Sequence, residues 1–167
     1  MEEAWLSGKL DGFAPVMMPA AHALVECAKD LQKHASDLSA EELNARPNNA
    51  PSVAFHLKHI AGSIDRLLTY ARSEQLNDLQ FAELKSEKDE TNESAAQLVE
   101  KAVIRIDEAL EILRITPLSS LFEPRCIGRK KLETNVFGLL FHIAEHTARH
   151  TGQIVTTAKI IRTQCSS

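Results

Sequence analysis

The apolar residues of this 167-residue chain recur three and four positions apart through four long stretches, and strand-like alternation is nearly absent. At about 100° per residue that spacing lays one apolar stripe along each of four helices. The first stretch runs from about Val16 to Leu38, with Leu24, Cys27, Leu31 and Leu38 on one face and Pro19 in the first turn, where a missing amide N–H is tolerated. The second, roughly Pro51 to Ser73, carries Leu57, Ile60, Ile64, Leu67 and Ala71. The third, about Thr91 to Ile115, carries Leu98, Ala102, Ile106, Ala109 and Leu113 and stops before Pro117. The fourth starts near Thr134, a suitable N-cap, and continues to about Ile161. Four such stripes bury one another best as helix on helix, so the expected fold is all-α, a four-helix bundle forming a single domain over residues 1–167.

The connections are short of structure. Ser39 stands three residues before Glu42, a capping-box spacing that begins a short helical turn. Asn44 to Ser52 reads as a loop from its Pro and Asn content, and Asp78 to Lys85 holds a short helix in a polar connection. Leu118 to Leu132, with Pro124 and Gly128, predicts a small hairpin or an irregular segment before the last helix.

Charge narrows the partners. A formal net charge of −4, with basic residues clustered only at Arg125, Arg129, Lys130 and Lys131, is too small a footprint for duplex nucleic acid. Cys27, Cys126 and Cys165 form no CxxC pair, which excludes a zinc ribbon or disulfide framework and suits a reducing cytoplasm. The start of the chain is acidic, and the apolar stretch after it is broken by Pro15, Pro19 and His22, a poor signal peptide. No run approaches membrane-spanning length. The expected setting is therefore the cytoplasm, and the expected partner a small molecule rather than nucleic acid or membrane.

The fourth helix contains His142, His146 and His150 at four-residue spacing. Val136, Leu139, Leu140, Ile143, Ile154, Ala158 and Ile161 define an apolar arc centred near Ile143; His146 and His150 fall within it, and His142 lies about 100° away at the rim. One turn separates the inner pair, about 6 Å along the axis, close enough for both imidazoles to reach one ion. Desolvating imidazole without a partner is costly, and a divalent metal is a partner that uses two histidines one turn apart. A third ligand would come from the second helix, which offers His56 nearer the apolar centre and His59 at the rim with Ser63, Arg66 and Tyr70. Spacing leaves the two open, with the rim position mildly favouring His59. The competing reading is of core histidines satisfied by backbone carbonyls, and for His22 and His34 an ordinary surface or rim role is the stronger reading. The zincin motif H-E-x-x-H is absent, because Thr147 occupies the position of its glutamate and Glu145 points to the other side of the helix. No Ser-His-Asp or Cys-His nucleophile context is present either.

The segments HLKHIAGS in the second helix and HIAEHTARHTGQI in the fourth, within this helical layout, resemble the DinB-like (YfiT-like) superfamily of metal-dependent four-helix-bundle enzymes. The N-terminal WLSGKLDGFAPVMMPAAHALVECA has the character of a subgroup of it. The resemblance implies one divalent metal, nickel or zinc, held by His59, His146 and His150. It also implies that Gly152 permits close helix approach, and that Gln153 hydrogen-bonds a ligand histidine. Three neutral histidines leave a metal net positive with open positions, able to activate a thiolate or a water. The resemblance further implies a low-molecular-weight thiol cofactor (bacillithiol, mycothiol or glutathione) in S-transfer or maleylpyruvate isomerisation, with hydrolysis by metal-bound hydroxide as the next reading. Arg66 and Tyr70 are candidates to touch a substrate, and the Arg125–Lys131 basic cluster to recognise a thiol's carboxylates; against this, Arg66 can pair with an acidic neighbour. A homodimer is the expected assembly. The alternative is a non-enzymatic helical dimer, with a structural metal or none, in a stress-response or interaction role. Metal content separates the two.

Overall fold

The computed structural model describes residues 3–165, with side chains through residue 163, so the thiol of Cys165 lies outside the described residues. The chain forms α1 (Met18–Ala35), α2 (Ala40–Asn44), α3 (Val53–Ala71), α4 (Asp78–Ser86), α5 (Ala95–Ile115), a hairpin of β1 (Pro124–Ile127) and β2 (Leu132–Asn135), and α6 (Val136–Cys165). Among the described residues no helix is long and apolar enough to cross a membrane.

The four long helices form the expected all-α bundle. Helix α6 packs between α1 and α3, and α5 packs between the same two on the other side. Leu24 and Leu31 of α1, Leu57, Ile60 and Ile64 of α3, Ile106 and Leu113 of α5, and Leu140 and Ile143 of α6 meet in one core, each at most 1% exposed. Burying a side chain of this size is worth about 1.5–3 kcal/mol relative to exposure. Toward the end of α3 the stripe runs through Leu68, which is buried, whereas Leu67 and Ala71 are only half-buried.

Local chemistry sets the ends of the elements. Ser39 and Glu42 form the capping box that opens α2. Ser52 caps α3 by accepting the Phe55 N–H at 3.1 Å. Asn48 and Asn49, in the turn before α3, adopt φ of 51° and 63°, a left-handed conformation that asparagine tolerates better than most residues. The segment before α6 is the hairpin, closed by a turn with Gly128 at φ 66°. This moves the cap of α6 by one residue from the expected Thr134. Thr134 pairs with Arg125 in the ladder, and Asn135 accepts the Gly138 N–H at 2.7 Å. Asn135 ends the ladder and immediately precedes Val136, which makes it the better-placed cap.

Helix α4 is tied to α3 through Gln80, whose amide donates to Asp65 at 2.6 Å and to Thr69 at 2.8 Å. The chain leaving α4 is held as firmly. Lys58 donates to the carbonyls of Ser86 at 3.0 Å and Asp89 at 2.6 Å, and Arg46 donates to that of Lys88 at 2.6 Å. These contacts fix Glu87 against α3.

Candidate metal centre

Helices α3 and α6 lie side by side, and their histidines meet between them. One ligand atom from each of His59, His146 and His150 can be chosen so that all lie within 4.8 Å of one another. The His59 and His146 Nε2 atoms are 2.9 Å apart. The ring centroids of His146 and His150 are 4.5 Å apart, and those of His59 and His150 4.6 Å. His56, the other candidate from α3, is 3% exposed and turns its Nδ1 to within 2.9 Å of Nδ1 of His150. Both histidines of α3 thus reach α6: His59 belongs to the triad, and His56 stands behind it. His142 sits at the rim, its Nδ1 2.6 Å from Glu145. Arg149 also pairs with Glu145, which is therefore engaged on the helix's own surface.

Burial keeps the inner imidazoles neutral. The pKa values of His146 and His150 are pushed down to about 4, first by desolvation and then by neighbouring histidines and Arg149. That of His56 also falls to about 4, by desolvation and then by His150 and His59. Neutral imidazole is the form that offers a lone pair to a metal.

His59 is held from behind. Its Nδ1–H donates to Glu87 Oε2 at 2.7 Å, and the other carboxylate oxygen accepts from Arg66 Nη2 at 2.8 Å. Desolvation raises the pKa of Glu87, but the His59 hydrogen bond and the Arg66 charge outweigh it, so the carboxyl lies below its ordinary value. With Nδ1 donating, the Nε2 of His59 keeps its lone pair facing His146. Phe55 stacks on the outer face of the ring, with centroids 5.4 Å apart and planes 10° from parallel.

This donor set suits a divalent ion. With no ion between them, two Nε2 atoms at 2.9 Å need one proton on His146. Its Nδ1 is then a bare acceptor, buried and without a hydrogen-bond partner among the described residues. A cation at the two Nε2 atoms would take both lone pairs and leave the His146 proton on Nδ1, and two ligands at roughly 2.0–2.1 Å from an ion can stand no more than about 4.2 Å apart. The His59–His146 pair meets that limit, and a donor atom of His150 lies within 4.8 Å of both.

The remaining site residues fall in different places. Gln153 is exposed on α6 within hydrogen-bonding reach of His150. A side chain at Gly152 would meet nothing within 4 Å, so close helix approach is not its role; it borders an open groove instead. Arg66 is 7% exposed and turned inward to Glu87 rather than toward a substrate. Tyr70 lies eleven residues beyond His59 along α3, about 16 Å by helical rise. It makes no hydrogen bond or ring contact with the histidines among the described residues. The basic cluster is as remote: Arg125 donates to the carbonyl of Ala71 at the far end of α3 at 2.7 Å and pairs with Glu123 at 3.1 Å. Arg129 stands over the Phe81 ring.

Sequence reasoning missed Glu87. It lies in the charge-rich segment Lys85 to Glu93, and no local pattern separates it from Glu83, Glu90 or Glu93. Only the folding of that segment across α3 does so.

A groove of about 360 Å³ opens beside the histidines, lined by His56, Arg149, Gly152, Gln153 and Thr156 with Pro51 at its edge. A larger cavity of about 450 Å³ lies on the other side of α3, where Asp65, Glu83, Lys101, Arg105 and Glu108 line it and Glu87 separates it from His59.

The sequence model of the DinB superfamily matches residues 23–154, a span that begins in α1, ends in α6 and includes every histidine of the site. The chain belongs to the DinB superfamily. Among curated proteins none matches it.

Proposed function

We propose that this DinB-superfamily chain binds one divalent metal ion, nickel or zinc, through His59, His146 and His150, and works as a thiol-dependent S-transferase on a small electrophile. The observation that supports this most directly is the convergence of three imidazoles from two helices, with His146 and His150 held neutral by burial and His59 oriented by Glu87. When bound, the ion would supply a Lewis acid able to activate a thiol, or in the next reading a water for hydrolysis.

The chain's own residues supply orientation and access. Glu87 and Arg66 fix His59, Phe55 covers one face of its ring, and the groove along His56, Arg149, Gly152 and Gln153 is where a small molecule would approach. The described cysteines do not provide a nucleophile there. Cys27 is buried and its thiol is pushed up to about 11, chiefly by desolvation, while Cys126 sits on the distant hairpin. The proposed transfer therefore takes its thiol from a cofactor rather than from Cys27 or Cys126. A homodimer in the cytoplasm completes the proposal.

Elemental analysis of the purified protein tests the site, and incubation with an electrophile and each low-molecular-weight thiol tests the reaction. The expected result is about one nickel or zinc per chain, lost in His146→Ala, with thiol-dependent turnover by the loaded protein. Protein that stays metal-free after growth with both metals would overturn the site and favour a structural helical dimer. Bound metal without turnover on any thiol would overturn the transferase reading alone. Light scattering gives the assembly, and a monomeric mass would remove the homodimer.

A further inference from the structure

We infer that His56 is a positioning residue for the metal centre: its Nδ1 accepts the Nδ1–H of His150 and thereby fixes the ring and tautomer of that ligand. The inference rests on the proposed metal site and adds a residue that the three-histidine set does not include.

The two Nδ1 atoms are 2.9 Å apart, which is an N–H···N hydrogen bond and requires one proton between them. A neutral imidazole carries one N–H, so whichever nitrogen of His150 donates cannot bind a metal. With its Nδ1 donating to His56, His150 keeps its Nε2 lone pair for the ion. His56 must then carry its own proton on Nε2. The opposite assignment would put the proton on Nε2 of His150 and disable it as a ligand through that atom. A metal at the triad therefore selects one tautomer for each of the two rings.

The site's other half has the same logic. His59 donates Nδ1–H to Glu87 at 2.7 Å, and His150 donates Nδ1–H to His56. One ligand rests on a carboxylate and the other on a neutral imidazole, so the support of His150 adds no negative charge to the centre. His56 is well fixed for the task. It is 3% exposed, its ring centroid is 5.1 Å from that of Phe55 in an edge contact, and it sits in the first turn of α3 with its N–H donating to the Ser52 carbonyl at 3.2 Å. It also lines the 360 Å³ groove beside the site.

The test is zinc and nickel affinity, measured by competition with a chromophoric chelator, for the wild-type chain, His56→Leu and His56→Asn. Circular dichroism and the melting temperature of each metal-free protein report folding. Leucine fills the buried volume without an acceptor, whereas asparagine places a carbonyl oxygen near the position of the lost Nδ1. The expected result is one bound ion in all three proteins, affinity about 10- to 100-fold weaker in His56→Leu, and most of that loss recovered in His56→Asn. X-ray absorption should count three imidazoles on the metal in wild type and in His56→Leu alike. Wild-type affinity in folded His56→Leu would overturn the inference while leaving the metal site in place. A fourth imidazole in wild type, lost in His56→Leu, would also overturn it by making His56 a ligand. A wild-type chain that binds neither metal would overturn the site itself, and the role of His56 with it.

Discussion

Glu87 accepts the Nδ1–H of His59 at 2.7 Å across 28 residues of chain, from a position where Arg66 engages its other oxygen at 2.8 Å. A residue from the connection between two helices thus decides which nitrogen of a ligand histidine is free.

Removing that carboxylate should have two separable consequences. In Glu87→Gln the His59 tautomer loses its anionic anchor, and zinc affinity should fall by about 10- to 100-fold. Arg66 is left as a buried charge without its partner, which should cost about 3–5 kcal/mol of folding stability. Chelator competition reads the first effect, and urea denaturation of the metal-free protein reads the second. Unchanged affinity in folded Glu87→Gln would remove the proposed role of Glu87 in orienting the ligand.

Gly62 is half-buried in the middle of α3. A Cβ there would lie 2.6 Å from Arg66 Nη1 and 2.9 Å from Glu87 Oε1. Alanine normally favours a helix over glycine by about 1 kcal/mol. Here displacement of the ion pair should outweigh that gain, so Gly62→Ala should be destabilised by roughly 1–3 kcal/mol and should bind zinc more weakly. A variant more stable than wild type in urea would show that the pair gives way at no cost.

The bundle and the α6 histidines were legible in the sequence because both follow from helical period. The stripe of Leu57, Ile60 and Ile64 marks the buried face of α3, and the same wheel separates His146 and His150 from His142. Period also put His56 deeper than His59, which agrees with its 3% exposure, but depth along one helix does not say which ring meets α6 and through which nitrogen. That depends on how two helices face each other. Arg66 shows the same limit: the wheel puts it on the side of His59, yet its partner is Glu87, held there by Gln80, by Arg46 and by Lys58 of α3 itself. Contacts set by packing across long sequence separations leave no local pattern to read.

The buried histidines should make the metal-free protein acid-sensitive in a defined window. His56, His146 and His150 have pKa values lowered from 6.5 to about 4, by burial first and neighbouring charge second. Between those values the unfolded chain binds protons that the folded chain refuses, so stability falls as pH drops from 6.5 toward 4. Above pH 6.5 the contribution is fully present, and below about pH 4 these groups cause no further loss. Chelator-treated protein should show a melting temperature that declines through this range, and His150→Leu should show a shallower decline. A wild-type profile flat from pH 6.5 to 4.5 would mean that the histidines protonate in the folded state as readily as outside it.

Metal binding should reverse much of that sensitivity near neutrality, because the ion binds the folded site and not the unfolded chain. At a free zinc concentration 100 times its Kd the linkage is worth about 2.7 kcal/mol, and for a chain of this size each kcal/mol moves the melting temperature by about 2–4 °C. Wild type at pH 7.5 should therefore melt roughly 5–11 °C higher with zinc than with chelator. His146→Ala should show little or no shift, since the two remaining donors, His59 and His150, sit on different helices without the nitrogen that closes the set. At pH 5.5 the shift should shrink, as protons compete for the same lone pairs. Differential scanning calorimetry at both pH values checks each part. An equal rise in wild type and His146→Ala would place the ion elsewhere on the protein, and the three-histidine site would lose its claim to it.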